Sequence, residues 1–162
     1  MSITINSLHD YLKNIDNIEI KTTITNSNGN DRFFVQYYYN NYKYPKSYQL
    51  MKQTGYVDEK DDTKYCMSGC HTELVIRGQK VYNGIHFEGK STDNQQYRQI
   101  RNKFQKELQN RGIKFRTFNC KEKNNQFEIE CFEIKKGIGN FEKQKFYQTL
   151  NDLFDCLESV LP

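Results

Sequence analysis

Glu88-Gly-Lys90, with Glu73 one segment earlier, has the form of the acid and E-x-K set of metal-dependent nucleases. In such sites carboxylates hold Mg²⁺ and a lysine orients the attacking water. The same spacing recurs at Glu19-Ile-Lys21 and Glu133-Ile-Lys135, and no Asp stands on the expected neighbouring strand, so the pattern has little specificity. Cys66-Met-Ser-Gly-Cys70-His71 gathers three potential zinc ligands, and Cys120 and Cys131 are candidates to meet across a hairpin. Structural zinc sites use four ligands in tighter pairs than these. Buried free thiols are therefore expected, with no metal and no cofactor. His9, His71 and His86 have no nucleophile paired with them in sequence, and there is neither a phosphate-cradling glycine loop nor a nucleophile elbow. The expectation is a protein that is not an enzyme.

Two further groups are of binding type. The run Phe33-Phe-Val-Gln-Tyr-Tyr-Tyr-Asn-Asn-Tyr-Lys-Tyr44 places aromatic rings on both faces of a strand. One face must be core. The other makes Tyr37, Tyr38 and Tyr39 candidates for stacking on bases, worth roughly 1–3 kcal/mol per base in single-strand binding proteins. Arg98, Arg101, Lys103, Lys106, Arg111, Lys114 and Arg116 form a basic cluster of the kind that neutralises phosphates. The competing reading is a solvated polar face. Any contact with single-stranded DNA is expected to be weak for the chain alone.

Positioning these residues falls to a recognisable series of elements. Ser7-Leu-His-Asp10 resembles a capping box, and Leu8, Tyr11, Leu12 and Ile15 follow at helical spacing. From Ile18 the period becomes two, and the Asn26–Asp31 turn leads into a second strand, Arg32 to Asn41. Ser47 to Thr54 reads as a short helix and Asp58 to Asp62 as a solvated loop. Strands are expected at Thr72–Arg77 and Lys80–Glu88 around Gly78, then a Gly89–Asp93 loop. A helix capped by Asp93 runs to Arg111 and stops at Gly112. Ile113–Cys120 and Gln126–Lys135 form a hairpin closed near Asn124-Asn125, and Asn140 caps the last helix.

That last helix, Phe141 to Leu161, carries Phe146, Leu150, Leu153, Phe154, Leu157, Val160 and Leu161 on one wide stripe. Lys143 and Lys145 sit near its positive N-terminus, and Asp152, Asp155 and Glu158 near its negative C-terminus. Each such mismatch costs about 0.3–1 kcal/mol at low salt. An apolar stripe with charges set against the helix dipole suits a helix that answers a protein partner. Phe146, Leu150, Leu153, Phe154, Leu157 and Leu161 are the candidate contacts. The competing reading is a helix packed on its own sheet.

The chain has 162 residues, of which 36% are hydrophobic, 27% charged and 14% aromatic. One domain spanning 1–162 is expected. Phe and Tyr supply core area that aliphatic residues alone would not, at roughly 150–250 Å² each. The formal charge of +4 permits nucleic-acid binding without requiring it. No apolar run approaches membrane-span length, the first residues lack a signal-peptide pattern, and the five cysteines are irregularly spaced. An intracellular location follows as an expectation, with no membrane partner.

The closing Gln126-Phe-Glu-Ile-Glu-Cys-Phe-Glu-Ile, Gly137 and the long apolar helix resemble the end of the small OB-fold proteins of the CST telomere complex. The helix before the last strand pair also suits an OB fold. The resemblance implies a single OB barrel that holds a middle subunit through its barrel and C-terminal helix, in the nucleus at telomeres and in some lineages within the telomerase holoenzyme. From about Thr72 onward the chain also looks like a C-terminal module attached to some bacterial restriction-type nucleases. Together these readings predict a mainly β, α+β fold: a curved antiparallel sheet or OB-like barrel with a short N-terminal helix, one inserted helix and a long C-terminal helix. The predicted function is a non-catalytic subunit of a nucleic-acid-associated complex. The alternatives are a small metal-dependent nuclease or nuclease accessory, and an interaction module with no nucleic-acid role.

Overall fold

A computed structural model describes residues 4–24, 33–58, 66–88, 94–120, 123–137 and 140–162. The expected Asn26–Asp31 turn, the Gly89–Asp93 loop with Lys90, and the Asp58–Asp62 loop beyond Asp58 lie outside the described residues. The elements are α1 (Ile5–Lys13), β1 (Ile18–Ile24), β2 (Phe33–Tyr39), α2 (Pro45–Thr54), β3 (Tyr56–Asp58), β4 (Cys66–Arg77), β5 (Lys80–Glu88), α3 (Gln95–Asn110), β6 (Arg116–Cys120), β7 (Lys123–Glu133) and α4 (Asn140–Val160). The expected order of helices and strand pairs holds. β3 was not expected, and β4 starts six residues before the expected Thr72.

All pairings are antiparallel, in the order β1-β2-β4-β5-β7-β6, with β3 paired to the start of β4. The sheet does not close, so the fold is α+β with an open antiparallel sheet, and of the two expected forms the barrel is not the one adopted. Thr4, not Ser7, caps α1. Its hydroxyl accepts from the Ser7 N–H at 3.2 Å, and the Ser7 hydroxyl accepts from the Thr4 N–H at 2.8 Å. The β6–β7 ladder runs on to Cys120 opposite Lys123, past the turn expected at Asn124-Asn125, so Cys131 lies well down β7 from Cys120.

Strand alternation divides the sheet into two chemically different faces. Val35, Tyr37, Leu74, Ile76, Ile85, Phe87, Phe127 and Ile129 point toward the helices and form one core with α1, α3 and α4. Within that core the Tyr37 hydroxyl donates to Asn83 Oδ1 at 2.6 Å, and Asn83 Nδ2 donates to the Thr149 hydroxyl on α4 at 3.2 Å. Burial of this kind obliges every polar group to find a partner. The opposite face carries a small apolar group, Phe34, Val75 and Tyr82, and beside it a set of ionisable residues.

The stripe on α4 belongs to this core. Phe146, Leu150, Leu153, Phe154 and Leu157 are fully buried and Leu161 nearly so, covered by the chain's own sheet and helices. This corrects the expectation that they face a partner: an apolar stripe this wide is needed because α4 packs against β5, β7, α2 and α3 at once. The reversed charges have an intramolecular cause. α2 begins at Tyr44-Pro45 with no side-chain cap of its own. Glu158 takes that place, accepting from the N–H groups of Lys46 and Ser47 at 3.0 and 2.9 Å and from the Ser47 hydroxyl at 2.8 Å. Asp155 accepts from the Tyr44 hydroxyl at 2.7 Å. The acids near the end of α4 thus serve the positive end of α2.

Leu153→Ala should therefore lower stability by about 2–5 kcal/mol in urea unfolding. The pair Leu153→Asp, Leu157→Asp should abolish the cooperative thermal transition altogether; a double variant that still melted cooperatively would show the stripe to be dispensable to the core.

Candidate metal centre

The site follows from alternation on two neighbouring strands. His71-Thr-Glu73 on β4 and His86-Phe-Glu88 on β5 repeat the same His-x-Glu spacing, so each segment sends both functional side chains to the face away from the helices. The β4–β5 register sets His71 opposite His86 and Glu73 opposite Gly84. On the far side of β5, β7 places Gln126 opposite His86 and Glu128 opposite Gly84. Gly84 is what admits Glu128: a Cβ there would lie 2.6 Å from Glu128 Cγ and 2.6 Å from the Phe127 carbonyl oxygen.

His86 is the hub. Its Nδ1 faces the carboxylates of Glu73 and Glu88, the latter at 3.3 Å, and its Nε2 lies 2.6 Å from Glu128 Oε2. Arg77 grips Glu128 with two bonds, Nε to Oε1 at 2.7 Å and Nη2 to Oε2 at 2.9 Å, and reaches Gln126 Oε1 at 3.2 Å. Gln126 in turn donates to Glu88. His71 Nδ1 lies 3.1 Å from the Gly69 carbonyl oxygen, to which it must donate. Its Nε2 therefore keeps a lone pair, directed at the Gln36 amide nitrogen 3.1 Å away. Gly69 adopts φ +92°, and a Cβ there would strike the Thr54 carbonyl at the end of α2. That glycine both admits α2 and aims its own carbonyl at His71.

Burial opposes charge on His71, His86, Glu88 and Glu128, and prevails only at His71. It opposes charge on His86, but Glu73 and the bonds to Glu128 and Glu88 overcome it and hold the imidazolium well above the ordinary histidine range. Burial likewise pushes Glu128 up, and the bonds from His86 and Arg77 outweigh it, leaving the carboxyl at about 2. Glu88 is carried well below the carboxylate range by its bond to His86, again against burial. For His71 burial wins, and its pKa is lowered despite the nearby acids.

His71, Glu73, His86 and Glu88 offer four donor atoms that all lie within 4.8 Å of one another. Three of these side chains are at most 1% exposed, and Glu88 alone reaches the surface, at 22%. Two imidazoles and two carboxylates are a donor set for a divalent transition metal. The surroundings match what such ligands require: the Gly69 carbonyl fixes the tautomer of His71, and Glu128, itself clamped by Arg77, orients His86 from behind.

Several sequence-based assignments change here. Glu73 and Glu88 do converge, with two histidines, while Lys90 lies outside the described residues. Cys70 faces the helices and His71 the opposite way, because neighbours on a strand alternate, so these two candidate zinc ligands do not share a face, and Cys70 is a buried free thiol as expected; the side chain of Cys66 lies outside the described residues. This cluster of metal-ligating residue types is not assembled by the sequence pattern alone, from which no metal is expected. Tyr37, Tyr38 and Tyr39 are all buried and offer no stacking surface. Arg98, Lys106, Arg111 and Lys114 are exposed along α3 and after it, with Arg101 half-buried, and Arg111 is ion-paired with Glu107 at 2.7 Å. Arg116 is exposed, lies over the Tyr82 ring and donates to its hydroxyl at 2.7 Å. The signal that marks the site in sequence is the duplicated His-x-Glu on consecutive strands.

Comparison of the chain with protein-family models, with curated proteins and with solved structures found no match in any of the three. No helix among the described residues is long and apolar enough to cross a membrane.

Arg77→Ala would leave Glu128 buried with one counter-charge removed. Its unfolding free energy should fall by about 3–5 kcal/mol, the cost of stripping one partner from a buried ion pair. Urea denaturation of the two proteins checks this.

Proposed function

We propose that this protein is a non-catalytic binding domain whose sheet is held by one divalent transition-metal ion, coordinated by His71, Glu73, His86 and Glu88. The observation that carries the proposal is the convergence of two imidazoles and two carboxylates, whose four donor atoms all lie within 4.8 Å of one another on the buried face of β4 and β5; the charge of the described cluster agrees with it. Glu73, Glu88 and Glu128 bring three negative charges, and Arg77 supplies one positive charge. Counted over these described residues alone, an imidazolium at His86 still leaves a net charge of −1 in a region that water scarcely reaches. A divalent ion with neutral His86 brings the same set to zero. Buried charge is tolerated when paired, and an uncompensated buried charge is costly.

The number of donors favours a holding role. Structural metal sites are closed by four protein ligands, whereas catalytic ones keep a position for water or substrate. All four donors here come from β4 and β5, two central strands of the sheet, so the ion would clamp the pair that the other strands are built on. This keeps the non-catalytic part of the sequence-based reading. It does not use the terminal helix as a partner-binding element. The telomere-complex resemblance, on which none of the comparisons bears, remains a separate proposal that the metal reading does not require.

Protein purified without chelator should contain one equivalent of zinc or a related metal by elemental analysis, and Co²⁺ should bind in its place with a visible absorption spectrum. Metal at a hundredfold excess over Kd adds about 2.7 kcal/mol, which for a chain of this size raises Tm by about 5–10 °C. Glu88→Gln should remove most of the binding, and Glu128→Gln, which acts only through His86, should weaken it by about 10–100-fold. Absence of bound metal together with an unchanged Tm would overturn the proposal. Metal-dependent cleavage of labelled single- or double-stranded DNA, abolished by Glu88→Ala, would replace the holding role with the nuclease reading.

A further inference from the structure

Just beyond the point where β6 begins, the edge of β7 borders a half-open cavity of about 450 Å³. This is within the range of small-ligand sites, roughly 300–1,000 Å³. Lys114, Arg116, Lys136 and Lys145 line it, drawn from the segment before β6, from β6 itself, from the end of β7 and from the first turns of α4. Three carboxylates also line it, and each is already engaged. Glu128 pairs with Arg77 at 2.7 Å, Glu130 with Lys80 at 3.1 Å and Glu133 with Lys136 at 3.5 Å. Four lining cations thus meet three lining carboxylates, and the carboxylates are the ones already paired. Lys114 and Lys145 have no ion pair among the described residues, and both are exposed. The wall between them is apolar, formed by Phe115 and Ile129.

A concave site with two lysines that have no ion pair among the described residues, a guanidinium beside them and an aromatic wall selects for polyanions that also carry a flat or apolar group. We infer that this cavity binds a small phosphorylated ligand of the nucleoside-diphosphate class, with the phosphates between Lys114, Lys145 and Arg116 and the organic part against Phe115. The inference does not depend on the metal reading, because none of these residues is a proposed metal ligand. It also regroups the basic residues legible in the sequence: Lys114 and Arg116 act with Lys145, thirty positions away in the chain, and not with the exposed arginines and lysines of α3.

Calorimetric titration of the full chain with ADP, with inorganic pyrophosphate and with a short oligothymidylate tests it. One ADP per chain is expected, more weakly at higher salt because phosphates are being neutralised. The pair Lys114→Glu, Lys145→Glu should cut ADP affinity by about tenfold or more, since each charge-assisted contact is worth about 1.5–3 kcal/mol. It should leave Tm unchanged, since neither side chain has an ion pair among the described residues. Phe115→Ala should weaken ADP and spare pyrophosphate. No saturable binding of ADP or pyrophosphate at millimolar concentration overturns the inference, as does binding that the double variant leaves intact. Equal affinity for ADP and pyrophosphate, unaffected by Phe115→Ala, removes the organic part of the ligand. Oligothymidylate binding far tighter than ADP, and lost in the double variant, would make the cavity a nucleic-acid site instead.

Discussion

The register between β4 and β5 is the constraint on which the remaining structure rests. The two strands are joined by Gly78 and Gln79, with Gly78 at φ +62°, a conformation that a residue bearing a Cβ adopts at a cost. That turn sets Arg77 opposite Lys80, and every later pair follows from it, down to His71 opposite His86 and Gly69 opposite Glu88. Side chains alternate with period two, so a slip of one residue would send Leu74, Ile85 and Phe87 to the ionic face and three buried ionisable groups into the apolar core. Both faces therefore specify the same register, for opposite reasons.

The two faces are stabilised differently. On the helical side, stability comes from area: interlocked aromatic rings such as Phe87, Phe104 and Phe127 fill space that a chain without alanine or tryptophan cannot fill otherwise. On the opposite side, burial by itself is unfavourable, because carboxylates and imidazoles lose their hydration. That face is sustainable only as a connected set, in which His86 serves three acids, Arg77 secures the third, and Gln126 links Glu128's clamp to Glu88. Removing any member leaves a neighbour desolvated and poorly compensated. Such a set specifies one arrangement strongly, and it is also where a cation of the right size gains most.

Charge is distributed with the same economy among the helices. Asp155 and Glu158 of α4 point toward α2, and Glu158 replaces the cap that Tyr44 cannot provide. Lys114, Arg116, Lys136 and Lys145 instead line a cavity at the β7 edge, outside a cluster whose own balance over the described residues is negative. A protein with a formal charge of only +4 thus has an acidic interior site and a basic cavity sharing one residue, Glu128.

What the sequence determined by itself was whatever depends on neighbours along the chain. The period of two from Ile18, the helical stripe of α4, the break at Gly78 and the order of elements are all local signals, and they survive in the structure with shifted ends. The longer β4 and the added β3 were hidden because Cys66–Gly69 has neither alternation nor strand-forming composition; its strand character comes from pairing with Tyr56–Asp58. Whether an apolar stripe meets its own sheet or a partner is likewise absent from periodicity, since the same leucines suit both. Only packing decided that for Leu153 and Leu157. The site shows the division most clearly. Each His-x-Glu is visible as a pair on one face of one strand, and the tight turn at Gly78 sets the two pairs side by side; that Glu128 lies behind them is a matter of pairing with β7, far along the chain, and hydrogen bonding across the sheet is what sets it.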